Sequence, residues 1–171
     1  RINNVPRESQ SHEVDHVREF PNGSRIALEI EWNNKDPFFD RDLENFKRLH
    51  ADGAISIGMI VTRGQALHQN MRGIVRRFLD ERGIDVLAAL EPFGYEPTRR
   101  QKDAIASRAQ RLGGADAFRE AFTEKFVSDK FGEATTHWRK LEDRVKRGVG
   151  NPCPLVLIGL PDSVVKFPST T

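Results

Sequence analysis

One cysteine in 171 residues, Cys153, leaves no partner for an internal disulfide. That suits a reducing compartment, so a cytoplasmic setting is expected, with Cys153 an inert core thiol. Two tryptophans and one tyrosine are few for the aromatic platforms of a carbohydrate site. No apolar run approaches the roughly 18–20 residues of a membrane helix, and no secretory leader opens the chain. The chain starts at Arg1 rather than Met, and the expectation is that a processed or excised segment precedes it. The five histidines, His12, His16, His50, His68 and His137, show no spacing such as HExxH, so zinc is not expected. Charge of one sign is also scarce. The net is +2, which permits nucleic-acid binding without arguing for it.

What is present is a globular composition, 37% apolar and 30% charged, long enough for one domain spanning 1–171. Residues 1–11 read as a tail. Two strand-like runs, 12–20 and 25–32, flank Pro21-Asn22-Gly23-Ser24, a hairpin signal. Asp36 as N-cap and Pro37 at the first helical position predict a helix whose core face carries Phe39, Leu43, Phe46 and Leu49. The run 54–61 is nearly all apolar, as in a strand covered on both faces, and Thr62-Arg63-Gly64 follows it. A second helix is predicted from Gln65 to Glu81 with Leu67, Met71, Ile74 and Phe78 facing inward. Residues 84–90 read as a short strand.

Between 95 and 150 the composition shifts to helical and more basic. Thr98 caps one predicted helix, which runs to about Leu112. Phe118, Phe122 and Phe126 stripe another, and Thr135 or Thr136 caps a third, which turns Trp138, Leu141 and Val145 inward. Residues 154–159 read as a final buried strand. The order implies α/β with a mixed central sheet flanked by helices, and 95–150 as a helical insertion before the last strand.

Run 25–32 alternates cleanly. Ile26, Leu28, Ile30 and Trp32 share one face, and Ala27, Glu29 and Glu31 share the other. The two glutamates therefore project the same way, about 6–7 Å apart at the backbone. Asp15 lies across the hairpin. Such carboxylates repel one another unless a cation sits among them, and magnesium favours oxygen ligands of this kind. A blander alternative is a solvated strand face with alternating glutamates. For Asp15 to join the pair it must oppose an odd-numbered residue. A two-residue Asn22-Gly23 turn would oppose it to Ile30, so a three- or five-residue loop or a bulge is required, with Gly23 at positive φ.

The stretch from Glu29-Ile30-Glu31-Trp32-Asn33-Asn34 through Leu43, the apolar strand to Val61, and the closing run Cys153–Leu160 resemble the BamHI/BglII-type restriction endonucleases of the PD-(D/E)xK superfamily. The resemblance covers 13–64 and 152–161 well and the region between weakly. It implies a restriction-endonuclease-like fold and a type II enzyme that hydrolyses both strands of duplex DNA, dependent on Mg2+ with Mn2+ able to substitute. It also implies that Asp15, Glu29 and the Ile30 carbonyl hold the metal. Glu31, where most of the superfamily has Lys, would activate water. Asn34 and Asp36 fall where family members touch bases. Separately, Lys35, Arg41 and Arg63 are candidates for phosphate contact, as are the basic residues of 99–111 and 139–147, with a solvated face as the alternative for each. The family's core starts with a helix before the hairpin, for which little chain is left; Glu13 is a weak substitute for its acidic residue. A homodimer is expected, because two-fold symmetric sites go with two-fold symmetric proteins. The helix after the glutamates or the one from Gln65 would form its interface. Other readings remain open: a structure-specific or repair nuclease of the same superfamily, a glycosidase using the glutamate pair, and a non-catalytic DNA-binding protein.

Overall fold

The computed structural model describes residues 13–167, so the expected tail and His12 lie outside the described residues. Strand β1 (His16–Glu19) pairs antiparallel with β2 (Arg25–Glu31), His16 opposite Leu28 and Glu19 opposite Arg25. The connection is a three-residue loop. Gly23 N–H donates to the Phe20 carbonyl and Phe20 N–H to the Ser24 carbonyl, both at 2.9 Å. Gly23 sits at φ 80°, which a side chain rarely adopts. The register thus has the parity that Asp15 requires, and its continuation sets Asp15 beside Glu29.

Helix α1 (Phe38–Ala51) follows, its N-cap at Pro37 rather than Asp36. Phe39, Leu43 and Phe46 are fully buried, in one cluster with Ala27 and Ile60 of the sheet. Close approach is possible because Gly58 lies under the Phe46 ring, where a Cβ would overlap it. Strand β3 (Ile57–Arg63) runs parallel to β2, and β4 (Leu155–Leu160) parallel to β3. The sheet is therefore mixed, in the order β1-β2-β3-β4. Helix α2 spans Gln65–Glu81, the predicted limits, and buries Leu67, Met71, Ile74 and Leu79. Helices α3 (Arg99–Leu112), α4 (Ala117–Phe131) and α5 (Trp138–Lys146) fill the chain between α2 and β4. A capping box between Thr98 and Gln101 starts α3. Phe122 of α4, with Phe118 and Phe126 beside it, joins Leu79, Ile84, Leu90 and Ile105 in a second core cluster.

Four local expectations are corrected. Residues 84–90 form no strand: Leu87–Phe93 is a three-ten helix, and Ile84 and Leu90 are buried among helices. A short apolar run has no period of its own, and here helices rather than strands surround it. Neither Thr135 nor Thr136 caps α5, because Arg63 takes the Thr135 hydroxyl and the N-cap is His137. Strand β4 is an edge strand with Val156 and Ile158 each 39% exposed, not a buried one. On β2 the burial is inverted. Ala27, Glu29 and Glu31 are covered by α1, whereas Ile30 on the opposite face is 44% exposed. Alternation defines two faces but not which of them a helix will cover. Among the described residues no helix is long and apolar enough to cross a membrane.

Candidate active site

The hairpin and α1 build the acidic site between them. Asp15, just before β1, turns its Oδ2 onto the Ile30 amide, which donates at 2.8 Å. The N–H and carbonyl of one strand residue project to the same edge, so the Ile30 carbonyl also faces Asp15. The Asp15 amide in turn donates to the Glu29 carboxylate. Asp15 is exposed, while Glu29 and Glu31 are only 1% and 2% exposed. The solvated-face alternative therefore does not describe these two glutamates.

Burial has electrostatic consequences. The Glu29 carboxyl is raised to about 8, chiefly by desolvation, then by the charges of Asp42 and Asp15. Glu31 is raised to about 7, again by desolvation first, and Asn34 opposes the rise by donating Nδ2 to Oε2 at 2.9 Å. A hydrogen bond and the charge of Asp42 raise it further. Asp42, a fully buried residue of α1, is thus a fourth carboxylate in the cluster. Sequence reading passed it over. Its one signal was position, because a charged residue one helical turn from Phe39 falls inside the apolar stripe. Thr62 was missed as well; its hydroxyl donates to the Glu31 carbonyl at 2.7 Å and fixes the backbone at that point.

The candidates for DNA contact divide. Lys35 and Asn34 are exposed at the exit of β2, where their segment bridges 134–136 through Asp36 N–H to Ala134 O and Thr136 N–H to Asn34 O. The Asn34 amide already holds Glu31. The Asp36 carboxylate faces Lys140 and Arg144 at 3.4 and 3.5 Å. Arg41 is committed to the acidic cluster, with Nη2 at 2.9 Å from Asp42 Oδ1 and 3.6 Å from Glu31 Oε1.

Arg63 is the clear correction. It is fully buried and donates to the carbonyls of Trp32, Phe131 and Thr136 and to the Thr135 hydroxyl. Burial lowers its pKa to about 10, against the opposing charge of Glu133. A guanidinium spent on carbonyls inside the protein is no phosphate clamp. It fastens the segment after Glu31 to the link between α4 and α5. His16, which the alternation of its strand sets on the face opposite Asp15 and which reads as a packing residue, is exposed, whereas Cys153 is a buried thiol as expected.

The donor set around Glu29 is all oxygen, and crowding of like charge at buried carboxylates is what a hard divalent cation relieves. The residues therefore fit magnesium. Among the described residues, though, the one trio of acidic, histidine or cysteine side chains whose donor atoms already converge within 4.8 Å is His68, Glu133 and His137. Comparison with known proteins adds one finding. Residues 1–160 match the model of a family described as restriction endonuclease BglII/BglIII. No curated protein and no solved structure matches the chain.

Proposed function

The chain belongs to the BglII/BglIII restriction endonuclease family, and from that premise we propose that it is a magnesium-dependent type II enzyme cutting both strands of duplex DNA at a specific site, with Asp15, Glu29 and Glu31 as its acidic core. The observation that carries the residue assignment is the pairing of Asp15 with the Ile30 amide beside a buried Glu29. It brings two carboxylates and one backbone carbonyl to the same edge of β2.

Asp15, Glu29 and the Ile30 carbonyl would hold the ion. When bound, magnesium neutralises charge on a phosphodiester and makes a neighbouring water more acidic. Glu31 orients that water and accepts its proton at Oε1, the oxygen Asn34 leaves open, while Asn34 fixes Oε2. The glutamates are covered in this structure, so the reading requires Arg41 and the polar segment 33–36 to move off them as DNA binds. Manganese would substitute, being an octahedral oxygen-seeking ion. Two-fold DNA sites argue for a homodimer, and the lone Cys153 for a cytoplasmic setting.

The test is cleavage of a mixed-sequence plasmid by the wild type and by Asp15→Asn, in Mg2+ and in EDTA. Discrete fragments are expected from wild type with Mg2+ and none in EDTA. Asp15→Asn should cut slower by orders of magnitude yet still shift DNA on a gel without metal, because one charge fewer faces the phosphate. Smeared products would replace the restriction reading with a general nuclease. Near wild-type cutting by the variant would remove Asp15 from the mechanism.

A further inference from the structure

The histidines carry chemistry that their spacing hid. His68 of α2 and His137 at the start of α5 stack with ring centroids 4.0 Å and planes 7° apart. Glu133 spans their edges, Oε1 at 3.4 Å from His68 Nε2 and Oε2 at 3.7 Å from His137 Nε2. His137 is 1% exposed, and its Nε2 is buried with no hydrogen-bond partner. Such an atom is costly to bury bare and is aimed at the carboxylate without reaching it. A cavity of about 270 Å3, lined also by Gln65, Gln69 and Arg139, opens beside the trio.

We propose that His68, Glu133 and His137 form a binding site for a divalent transition-metal ion of the zinc type, separate from the carboxylate site. Two imidazoles and a carboxylate suit zinc, with a water as fourth ligand, and do not suit magnesium. The ligands must be deprotonated at the donor atom. His137 meets that condition, since burial and the neighbouring His68 lower its pKa to about 4. Its carboxylate partner Glu133 is held below the usual range, first by the His68 hydrogen bond.

Binding requires one rearrangement. Parallel rings send their in-plane lone pairs side by side, so the two Nε2 atoms cannot both reach an ion at about 2.0–2.1 Å as they stand. His68 is the ring that turns, with a side chain 17% exposed against 2% for His137. At present its Nδ1 accepts from Arg63 Nη1 at 3.1 Å, so Nε2 carries the proton. Metal at Nε2 moves that proton to Nδ1 and takes the ring off Arg63. Arg63 keeps the Trp32 and Thr136 carbonyls and the Thr135 hydroxyl. Arg139, paired with Glu133 Oε2 at 2.7 Å, is 64% exposed and yields at little cost. Occupancy would tie α2 to the link between α4 and α5, the same link Arg63 fastens to Trp32, and so raise the Tm.

The experiment uses the full chain without an affinity tag, freed of metal by chelation and then held in excess Mg2+ to fill the oxygen site. Co2+ is titrated while visible d–d absorption is recorded, Zn2+ is added last, and the imidazole 15N resonances are compared between the metal-free and the Zn2+ forms. Expected are saturation at one Co2+ per chain, displacement by Zn2+, and, in the diamagnetic Zn2+ form, 15N shifts largest at His68 and His137. Glu133→Gln and His68→Gln, both at solvent-reachable positions, should each weaken binding by at least roughly tenfold, the scale seen when a metal site loses even a supporting group. Glu29→Gln should leave it unchanged, which separates this site from the carboxylates. No saturable signal up to millimolar Co2+, or undiminished binding in either Glu133→Gln or His68→Gln, overturns the proposal.

Discussion

At the residue scale, Glu29 sets function against stability. A carboxyl raised to about 8 in the folded chain ionises at a cost that the unfolded chain does not bear. The sign follows. Its stabilising proton is fully present below the unfolded value near 4.5 and is lost as pH rises through about 8. Glu29→Gln keeps the shape without the charge. In EDTA the variant should come close to wild type near pH 5 and exceed it increasingly toward pH 8–9, by on the order of a few kcal/mol. It should also lose cleavage by orders of magnitude. Paired thermal melts across that range check this, and taking the difference cancels the opposite acid sensitivity of buried His137. An unchanged difference between pH 5 and pH 9 would falsify the assigned environment of Glu29. Arg63 makes the complementary point: sequence placed it at a strand end facing DNA, and the fold buried it because four acceptors converge there.

At the element scale, the β1–β2 hairpin decides whether the carboxylates meet. Its three-residue loop and the positive φ of Gly23 fix a register in which odd residues face odd residues. Deleting Arg18 from β1, with the loop and its closing pair of Phe20 and Ser24 kept, would move Asp15 one place along the strand, opposite Leu28. Asp15 would then project to the opposite face from Glu29. The expected outcome is near-native far-UV circular dichroism with cleavage at the level of Asp15→Asn. Retained activity would mean that the hairpin slips elsewhere to restore the pairing. Elements with local signals were legible in advance. The capping box at Thr98 and the 3.6-residue stripe of Gln65–Glu81 gave α3 and α2 their limits. Residues 84–90 were not, since six apolar residues around Asp85 fit a strand or a helical turn equally well until their neighbours are known.

At the scale of the whole molecule, a net charge of +2 cannot attract DNA by itself, so the arrangement of basic groups must do so. Helix α5 offers Lys146 and Arg147 exposed near Asp36, at the end of the segment that leaves β2. Arg144, beside them, is buried and bound to Asp40 at 2.9 Å, so it belongs to the framework. DNA affinity in EDTA should fall steeply with salt, because phosphate contacts release counterions. Replacing both Lys146 and Arg147 with Ala should flatten the log–log salt slope by about two, roughly one per lost contact. Filter binding at several salt concentrations measures it. An unaltered slope would move the DNA path away from α5 and toward Lys35 or the basic residues of α3.

What the sequence determined by itself was local or periodic: the α/β order, the limits of α2 and α3, the apolar stripe of α1, and Glu29 and Glu31 on one strand face. It also set a parity condition on the hairpin that made Asp15 testable. These follow from short-range rules, which a chain obeys before it has a tertiary partner. The tertiary structure decided the rest. It chose which face of β2 to bury, brought Asp42 to the glutamates, withdrew Arg63 from solvent, tied Arg41 to the acidic cluster, and joined His68 to residues 133 and 137. Each is an outcome of packing between segments far apart in the chain. Burial and electrostatic environment belong to such contacts, and no spacing along a single strand or helix encodes them.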